Sequence, residues 1–159
     1  MLVTRNCHAL FAKSLVNVAV VLLPRMSNFT DFNQLIAEPD LVVRYAATPV
    51  DLDGADVIVI PGSKNTIDDL RYVRHSGMAE AIRRHVTYGT EVVGICGGYQ
   101  MLGRSIADPE IIEAGGEVDG LCLLDVTTRL TTSKTTRVGE AESLEIEPQR
   151  CLKVRGYFV

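Results

Sequence analysis

Residues 92–103 read Val-Val-Gly-Ile-Cys-Gly-Gly-Tyr-Gln-Met-Leu-Gly, an apolar run that ends at a cysteine flanked by glycines. This pattern predicts a buried strand, a tight turn that carries Cys96, and a helix that begins directly after the turn. The glycines permit backbone angles that other residues avoid, and they allow a substrate to approach closely. Backbone N–H groups at the start of a helix favour the thiolate form of a cysteine, which is the nucleophilic form. The segment therefore predicts a nucleophilic cysteine at a strand–turn–helix elbow.

Three apolar segments precede this elbow and predict the rest of a sheet. The four predicted strands cover residues 17–23, 41–46, 56–60 and 91–95. Between them, a short helix with Thr30 or Asp31 as its N-cap extends to Ile36. A second helix begins with a capping box at Thr66, and a third ends at Gly89. This alternation is typical of an α/β domain with a mostly parallel, flavodoxin-like central sheet flanked by helices.

The character of the chain changes after residue 116. Residues 121–126, 127–132 and 141–146 carry threonine and charged residues, and we predict three later strands there, with more antiparallel pairing. Cys122 lies within the apolar run 121–124, which favours a thiol buried in the core.

Length and composition restrict the classes of function. The 159 residues suffice for one domain, which we assign to residues 16–159 after a lead-in over residues 1–15. The net charge of -4 and the scattered basic residues argue against a nucleic-acid partner. The apolar run 15–23 is too short to span a bilayer and precedes no cleavage site, which argues against a membrane partner. Four cysteines without a C-x-x-C pair argue against a metal site or a disulfide framework and favour a reducing cytoplasm.

Two glycine-containing turns follow two of the predicted strands. Pro61-Gly62-Ser63 ends the third strand, and the Cys96 elbow ends the fourth. Because the carboxyl ends of parallel strands meet at one edge of the sheet, we expect both turns at the ligand-binding edge. A nucleophile there requires an oxyanion hole, and we predict that the amides of Gly97 and Gly62 supply it.

Three segments of the chain resemble a known family. These are residues 23–32 (LPRMSNFTDF), 61–66 (PGSKNT) and 94–101 (GICGGYQM). The chain is similar to the class I glutamine amidotransferase domains of the cobyric and cobyrinic acid synthase family over about residues 17–138. The segment 23–32 resembles the cobyric acid branch in particular.

The resemblance implies a substrate, a reaction and a partner. Cys96 would attack the side-chain amide of glutamine, which gives a γ-glutamyl thioester and ammonia. Gln100 would help to hold the substrate. Ser63 is a second substrate-binding candidate, with a loop-forming role as the alternative. The glutaminase half requires no free cofactor, whereas the synthetase domain that would use the ammonia on a corrinoid substrate implies ATP and magnesium.

The resemblance also implies that the domain is incomplete at its C-terminus. The family carries its catalytic histidine in a Gly-Tyr-Glu-Ile-His motif, and this chain has Gly-Tyr-Phe-Val at residues 156–159. We expect His75 and His85 to be surface residues without a catalytic part, and the unpatterned lead-in gives His8 no position. Without a base, the chain as given would hydrolyse glutamine very slowly. The synthetase domain would also be missing, which indicates a fragment or a truncated or frameshifted gene. An unfinished sheet exposes unpaired strand groups, which predicts homodimerisation or aggregation.

Two alternatives remain open from the sequence. One is an amidotransferase subunit of a Mur-ligase-like amidating enzyme, which the identity of the neighbouring synthetase gene would distinguish. The other is a catalytically dead remnant that binds glutamine or a partner. Labelling of Cys96 by a glutamine-like electrophile without release of glutamate would support this second alternative.

Overall fold

The computed structural model describes residues 15–133, 137–142 and 153–158, so the predicted lead-in lies almost entirely outside the described residues. The elements, in chain order, are β1 (Val16–Val21), a 3-10 turn (Phe29–Phe32), α1 (Asn33–Ala37), β2 (Leu41–Ala46), a 3-10 turn (Pro49–Leu52), β3 (Val57–Ile60), α2 (Thr66–His75), α3 (Met78–Thr87), β4 (Glu91–Gly94), α4 (Gly97–Met101), β5 (Ser105–Asp108), β6 (Gly116–Asp119), β7 (Thr127–Arg129), β8 (Arg137–Glu142) and β9 (Lys153–Phe158).

The largest sheet has the strand order β2-β1-β3-β4, and all of its pairs are parallel. Its strands are short and rich in valine and isoleucine, which suits a sheet covered on both faces. Along one register row, Ala19 of β1 lies beside Ile58 of β3, and both are fully buried. The predicted α/β fold with a parallel central sheet is therefore confirmed, and each of the four predicted strands lies within two residues of its observed bounds.

Helices α2 and α3 join β3 to β4 and supply much of the hydrophobic core. Leu70 of α2 and Ile82 of α3 are fully buried, and both belong to one cluster with the inner side chains of the sheet. Gly77 separates the two helices with a φ of 81°, an angle at which glycine avoids the strain that a Cβ would bring. None of the described helices has the length and apolar character needed to cross a membrane.

The predicted strand over residues 121–126 is wrong. The backbone N–H groups of Leu121, Cys122 and Leu123 donate to the carbonyls of Met101, Gly103 and Leu102 at the end of α4, instead of pairing with a strand. Cys122 has a φ of 56° and is exposed, so the prediction of a core thiol is also wrong. Apolar character in this segment reflects packing over the end of a helix, where Leu121 is buried.

The strands after α4 form two smaller sheets. One has the order β6-β5-β7, with β6 antiparallel and β7 parallel to β5, and the other is the antiparallel pair β8–β9. Strands β5, β6 and β9 were not predicted. Strand β7 covers the first part of the strand predicted at residues 127–132. The strand predicted at 141–146 overlaps β8 only as far as Glu142, and its remaining residues lie outside the described ones.

The observed N-caps lie one to three residues before the predicted ones. Asn65 caps α2, because its side chain accepts from the backbone N–H of Asp68 at 3.0 Å. The first helical turn follows Asn28, which has a φ of 53° and makes no side-chain cap. Thr66 and Thr30 therefore lie within the first turns of their helices.

Candidate active site

Cys96 occupies the connection between β4 and α4, as predicted from the glycine pattern. Its backbone has φ 52° and ψ -113°, a strained conformation for a residue with a side chain, and its thiol side chain is exposed. Gly97 and Gly98 are both buried beneath it. A Cβ on Gly98 would clash with the carbonyl oxygen of Ile60, so only glycine allows α4 to begin this close to β3.

The turn after β3 lies directly against the elbow. A Cβ on Gly62 would lie 3.7 Å from the Cβ of Cys96, and a Cβ on Gly97 would lie 3.2 Å from the amide nitrogen of Ser63. The predicted convergence of the two glycine turns is thus found in the structure, at the carboxyl edge of the parallel sheet. Both turns flank the exposed thiol of Cys96.

The amides of the two turns differ in their hydrogen bonding. The N–H groups of Gly98 and Gln100 donate to the carbonyls of Ile95 and Cys96. Among the backbone hydrogen bonds of the described residues, none is donated by Gly62 or Gly97. Uncommitted N–H groups beside a nucleophile are the donors that stabilise an oxyanion.

The third loop at this edge follows β1. The amide of Ser27 donates to the carbonyl of Gly62 at 2.9 Å, and the amide of Lys64 donates to the carbonyl of Arg25 at 2.9 Å. These two bonds tie the loop after β1 to the loop after β3. The hydroxyl of Ser27 also fills the space beside Gly62, 2.6 Å from the position a Cβ would take.

A buried carboxylate fixes these loops together. Asp69 of α2 is fully buried, and it accepts from the hydroxyl of Ser63 at 2.6 Å and from the amide of Arg25 at 3.2 Å. The hydroxyl oxygen of Ser63 also accepts from the amide of Asn65 at 2.9 Å. The Ser63 hydroxyl therefore bridges the buried carboxylate and the start of α2.

Gln100 lies one helical turn after Cys96 and is half-buried. Its backbone N–H donates to the carbonyl of Cys96 at 3.2 Å, so the backbone of Gln100 is tied directly to the elbow. Tyr99, next to it, is 49% exposed, which leaves this end of α4 open to solvent.

The two histidines of the described residues lie away from the thiol. His85 approaches Asp53 at 3.7 Å, and its carbonyl accepts from the amide of Thr90, so it lies where β3 and β4 begin. His75 ends α2, about 14 Å of helix from the first turn that meets the elbow. Its Nδ1 atom is 2.7 Å from the carbonyl of Arg71 in its own helix. His8 lies outside the described residues.

Two acidic residues near the site were missed by the sequence reading. Glu113 accepts from the hydroxyl of Thr66 and from the amide of Ile67, both at 3.2 Å. Asp108 is fully buried and accepts from the amides of Ile112, Glu113 and Gly115. Burial opposes the ionisation of Asp108, but the three N–H donors outweigh it and hold its pKa below the ordinary value. Contacts this distant in sequence leave no local signal.

The fold defines an α/β class of domains whose ligands bind at the carboxyl edge of a parallel sheet, where Cys96 is exposed. Sequence similarity places the chain in one family of this class. It belongs to the CobB/CobQ-like glutamine amidotransferase domain family, whose profile matches residues 17–157. The family expected from the three motifs is therefore confirmed.

Similar proteins carry consistent names. A cobyric acid synthase from Halorhodospira halophila is 55% identical over 119 residues, which are 75% of this chain and 25% of that protein. A cobyric acid synthase from Nostoc punctiforme is 45% identical over 159 residues, which are 99% of this chain and 32% of that protein. A solved structure titled as a glutamine amidotransferase matches with a TM-score of 0.58 at 20% identity, over 89% of this chain and 70% of that one. The chain thus spans about a quarter to a third of the curated relatives.

Proposed function

We propose that this chain is the glutaminase part of a cobyric acid synthase. Cys96 attacks the side-chain amide carbon of glutamine, the thiol proton passes to the amide nitrogen, and the carbon–nitrogen bond breaks to release ammonia. Water then cleaves the γ-glutamyl thioester to glutamate and restores the thiol. The exposed thiol of Cys96, set beside the Gly62 turn by a strained backbone, carries this proposal.

The amides of Gly62 and Gly97 act as the oxyanion hole. When the thiol adds to the amide carbon, negative charge develops on the former carbonyl oxygen, and N–H donors there stabilise the transition state. One such donor contributes on the order of a hundredfold or more in rate in other enzymes. Gln100 and the backbone of Ser63 contact the bound glutamine.

The ammonia is used by a synthetase partner. That partner activates corrinoid carboxylates with ATP and magnesium, and it amidates cobyrinic acid a,c-diamide on the route to cobalamin. The glutaminase half itself needs no cofactor or metal, and we place the reaction in the cytoplasm. The names of the curated relatives support this assignment of the partner.

A second candidate function is a module that binds glutamine and reacts with it slowly or not at all. The placement of His75 and His85 favours it, because neither histidine of the described residues lies at the edge of the sheet where Cys96 is found. Thiol addition without a general base is slow, although the thiol can still react with an activated electrophile.

Labelling with diazo-oxo-norleucine tests both candidates. This glutamine analogue forms a sulfur–carbon bond at its diazo carbon, which takes up the thiol proton while dinitrogen leaves. We expect mass spectrometry to find one adduct on Cys96 and none in Cys96→Ala. Cys122→Ala is the matched control, because Cys122 is also exposed and also has a positive φ.

The same samples are assayed for glutamate release. Labelling together with release supports the glutaminase, and labelling without release supports the binding module. Equal labelling of Cys96 and Cys122 would contradict both, because it would mean that no glutamine pocket directs the reagent.

A further inference from the structure

We propose that Glu113 is a positioning residue for the oxyanion amide of Gly97, acting through Thr66. This inference rests on the proposed glutaminase function. The carboxylate of Glu113 accepts from the Thr66 hydroxyl through Oε1 and from the Ile67 amide through Oε2. Glu113 is thereby joined to the first turn of α2 from a loop 46 residues further along the chain.

Thr66 transmits this contact to the elbow. Its side chain is buried at 2% exposure, and its Oγ1 and Cγ2 atoms lie 2.9 and 3.4 Å from the position that a Cβ on Gly97 would take. The threonine therefore packs directly against the backbone of Gly97. Because the hydroxyl donates its only proton to Glu113, the carboxylate fixes the rotamer of Thr66 that makes this contact.

The local N-cap of α2 does not supply an acceptor for the backbone N–H of Ile67. Asn65 satisfies the amide of Asp68 and leaves the amide of Ile67 to Glu113. Loss of Glu113 would leave a backbone N–H and a buried hydroxyl without their acceptor. The first turn of α2 would then relax. Because Thr66 and the amide of Ser63 are the groups nearest to Gly97, this relaxation would loosen the packing around Gly97.

The loop that carries Glu113 is itself held rigidly. Asp108 accepts three of its backbone N–H groups, including that of Glu113 at 2.8 Å. Arg71 of α2 donates to the carbonyl of Gly115 at 3.3 Å. The carboxylate thus approaches α2 from a fixed backbone, as a positioning residue requires.

Glu110 provides a matched control. Its carboxylate accepts from the amide and the hydroxyl of Thr132 at 3.1 and 2.7 Å, the same pair of donor types, in the same loop region. It lies between Asp108 and Glu113 in sequence, and among the described residues its side-chain hydrogen bonds are to Thr132 and not to α2. The Glu110→Ala variant therefore measures the effect of removing an acidic group from this loop while the bond between Glu113 and Thr66 is kept.

The experiment compares two reagents on Glu113→Ala, Glu113→Gln and Glu110→Ala. Diazo-oxo-norleucine measures reaction in the glutamine pocket, where its keto oxygen would meet the oxyanion amides, and iodoacetamide measures the thiol alone. We expect Glu113→Ala to lower the first-order labelling rate at saturating diazo-oxo-norleucine about tenfold, part of the loss seen when a donor is removed. The concentration for half-saturation and the iodoacetamide rate should change less than about twofold, as a specific loss of orientation predicts. Glu113→Gln should recover part of the rate, and Glu110→Ala all of it.

The role of Thr66 is tested by a double-mutant cycle. Thr66→Val keeps the shape and removes the hydroxyl, so Glu113→Ala should have little further effect on the labelling rate in the Thr66→Val protein. Circular dichroism confirms that each variant is folded at the assay temperature. Equal losses with both reagents, additive losses in the cycle, or no loss in Glu113→Ala would each overturn the inference.

Hydrogen exchange keeps this result separate from the proposed function. We expect the peptide that spans residues 94–102 to exchange faster in Glu113→Ala than in Glu110→Ala. If the unmodified chain reacts with iodoacetamide but not with diazo-oxo-norleucine, the glutaminase proposal is contradicted. Equal exchange in the two variants would overturn the positioning role of Glu113 whatever the labelling shows.

Discussion

Replacement of Gly98 by alanine would set helix propensity against steric fit at the elbow. In a helix interior, alanine is more favourable than glycine by about 1 kcal/mol, so propensity alone predicts a more stable protein. A Cβ on Gly98 would lie 2.7 Å from the carbonyl oxygen of Pro61 and closer still to that of Ile60. Both obstacles are backbone atoms at the end of β3, and they cannot rotate away as a side chain can.

The magnitude follows from the displacement that this overlap requires. Carbon–oxygen contacts in proteins are normally about 3.3–3.6 Å, so α4 and the end of β3 must separate by roughly 1.5 Å. Overpacking of this kind costs about 1–3 kcal/mol, and the rigid backbone on both sides places Gly98→Ala at the upper end. After the gain in propensity, we expect a net loss of about 2 kcal/mol in the free energy of unfolding. For a chain of this size, that loss lowers the melting temperature by roughly 4–8 °C.

Urea unfolding followed by circular dichroism measures the loss, with Gly89→Ala as the control. Gly89 has a φ of 92°, and a Cβ there would meet no atom within 4 Å, so its variant reports backbone strain without a clash. We also expect Gly98→Ala, but not Gly89→Ala, to slow the labelling of Cys96 by diazo-oxo-norleucine. A Gly98→Ala protein as stable as the unmodified chain would refute the view that close packing of α4 on β3 shapes the elbow.

Three further changes test the core and its polar contacts. Because N–H donors hold the pKa of Asp108 below the ordinary value of 3.8, its stabilisation is complete above that value and lost as pH falls through the lower, folded-state pKa. Asp108→Asn should therefore flatten the acid limb of a plot of unfolding free energy against pH, and an unchanged limb would contradict this. Ile82 is fully buried, so Ile82→Ala should lower the unfolding free energy by about 3 kcal/mol and Ile82→Val by about 1 kcal/mol in urea titrations. Equal losses in the two variants would argue against close packing at this position. Asp69→Ala removes the acceptor of the Ser63 hydroxyl and should lower the unfolding free energy by about 2 kcal/mol in the same titrations. Asp68→Ala should lower it less, because the ion pairs of Asp68 are partly exposed.

The central sheet could be predicted because β1 and β3 at its centre are largely buried on both faces. Such strands read as uninterrupted β-branched runs, and the end of each run is marked by proline or glycine. The turns at Gly62 and Cys96 were predictable for the same reason, since close approach of backbones requires glycine and glycine is visible in the sequence.

The segment 121–126 shows where this reasoning does not hold. Its apolar residues resemble a strand, but the carbonyl groups left unpaired at the end of α4 accept its backbone N–H groups instead. Three-dimensional placement decides which acceptors a chain segment finds, and a short apolar run carries no information about them. Cys122 was misplaced in the core for this reason.

Glu113 was missed because its partners are remote. A capping box has its acidic residue three positions after the N-cap, where the sequence reveals it, whereas the acceptor for Ile67 comes from a separate loop. The hydroxyl of Thr66 was assigned to a cap for lack of this information. Its actual bond to Glu113 links α2 to the loop after β5, and the same threonine packs against Gly97 of the elbow.

Presentation of the thiol and its activation are separate properties of this fold. Presentation depends on glycines within a few residues of Cys96 and on the neighbouring turn, and all of these lie at the carboxyl edge of the sheet. Activation requires a base at the same edge, and the two histidines of the described residues are fixed elsewhere, His85 by contacts near the start of β3 and β4. A glutamine-like electrophile brings its own leaving group and tests presentation, whereas release of glutamate tests activation. Comparing the two rates on one sample therefore shows which of these properties this chain carries by itself.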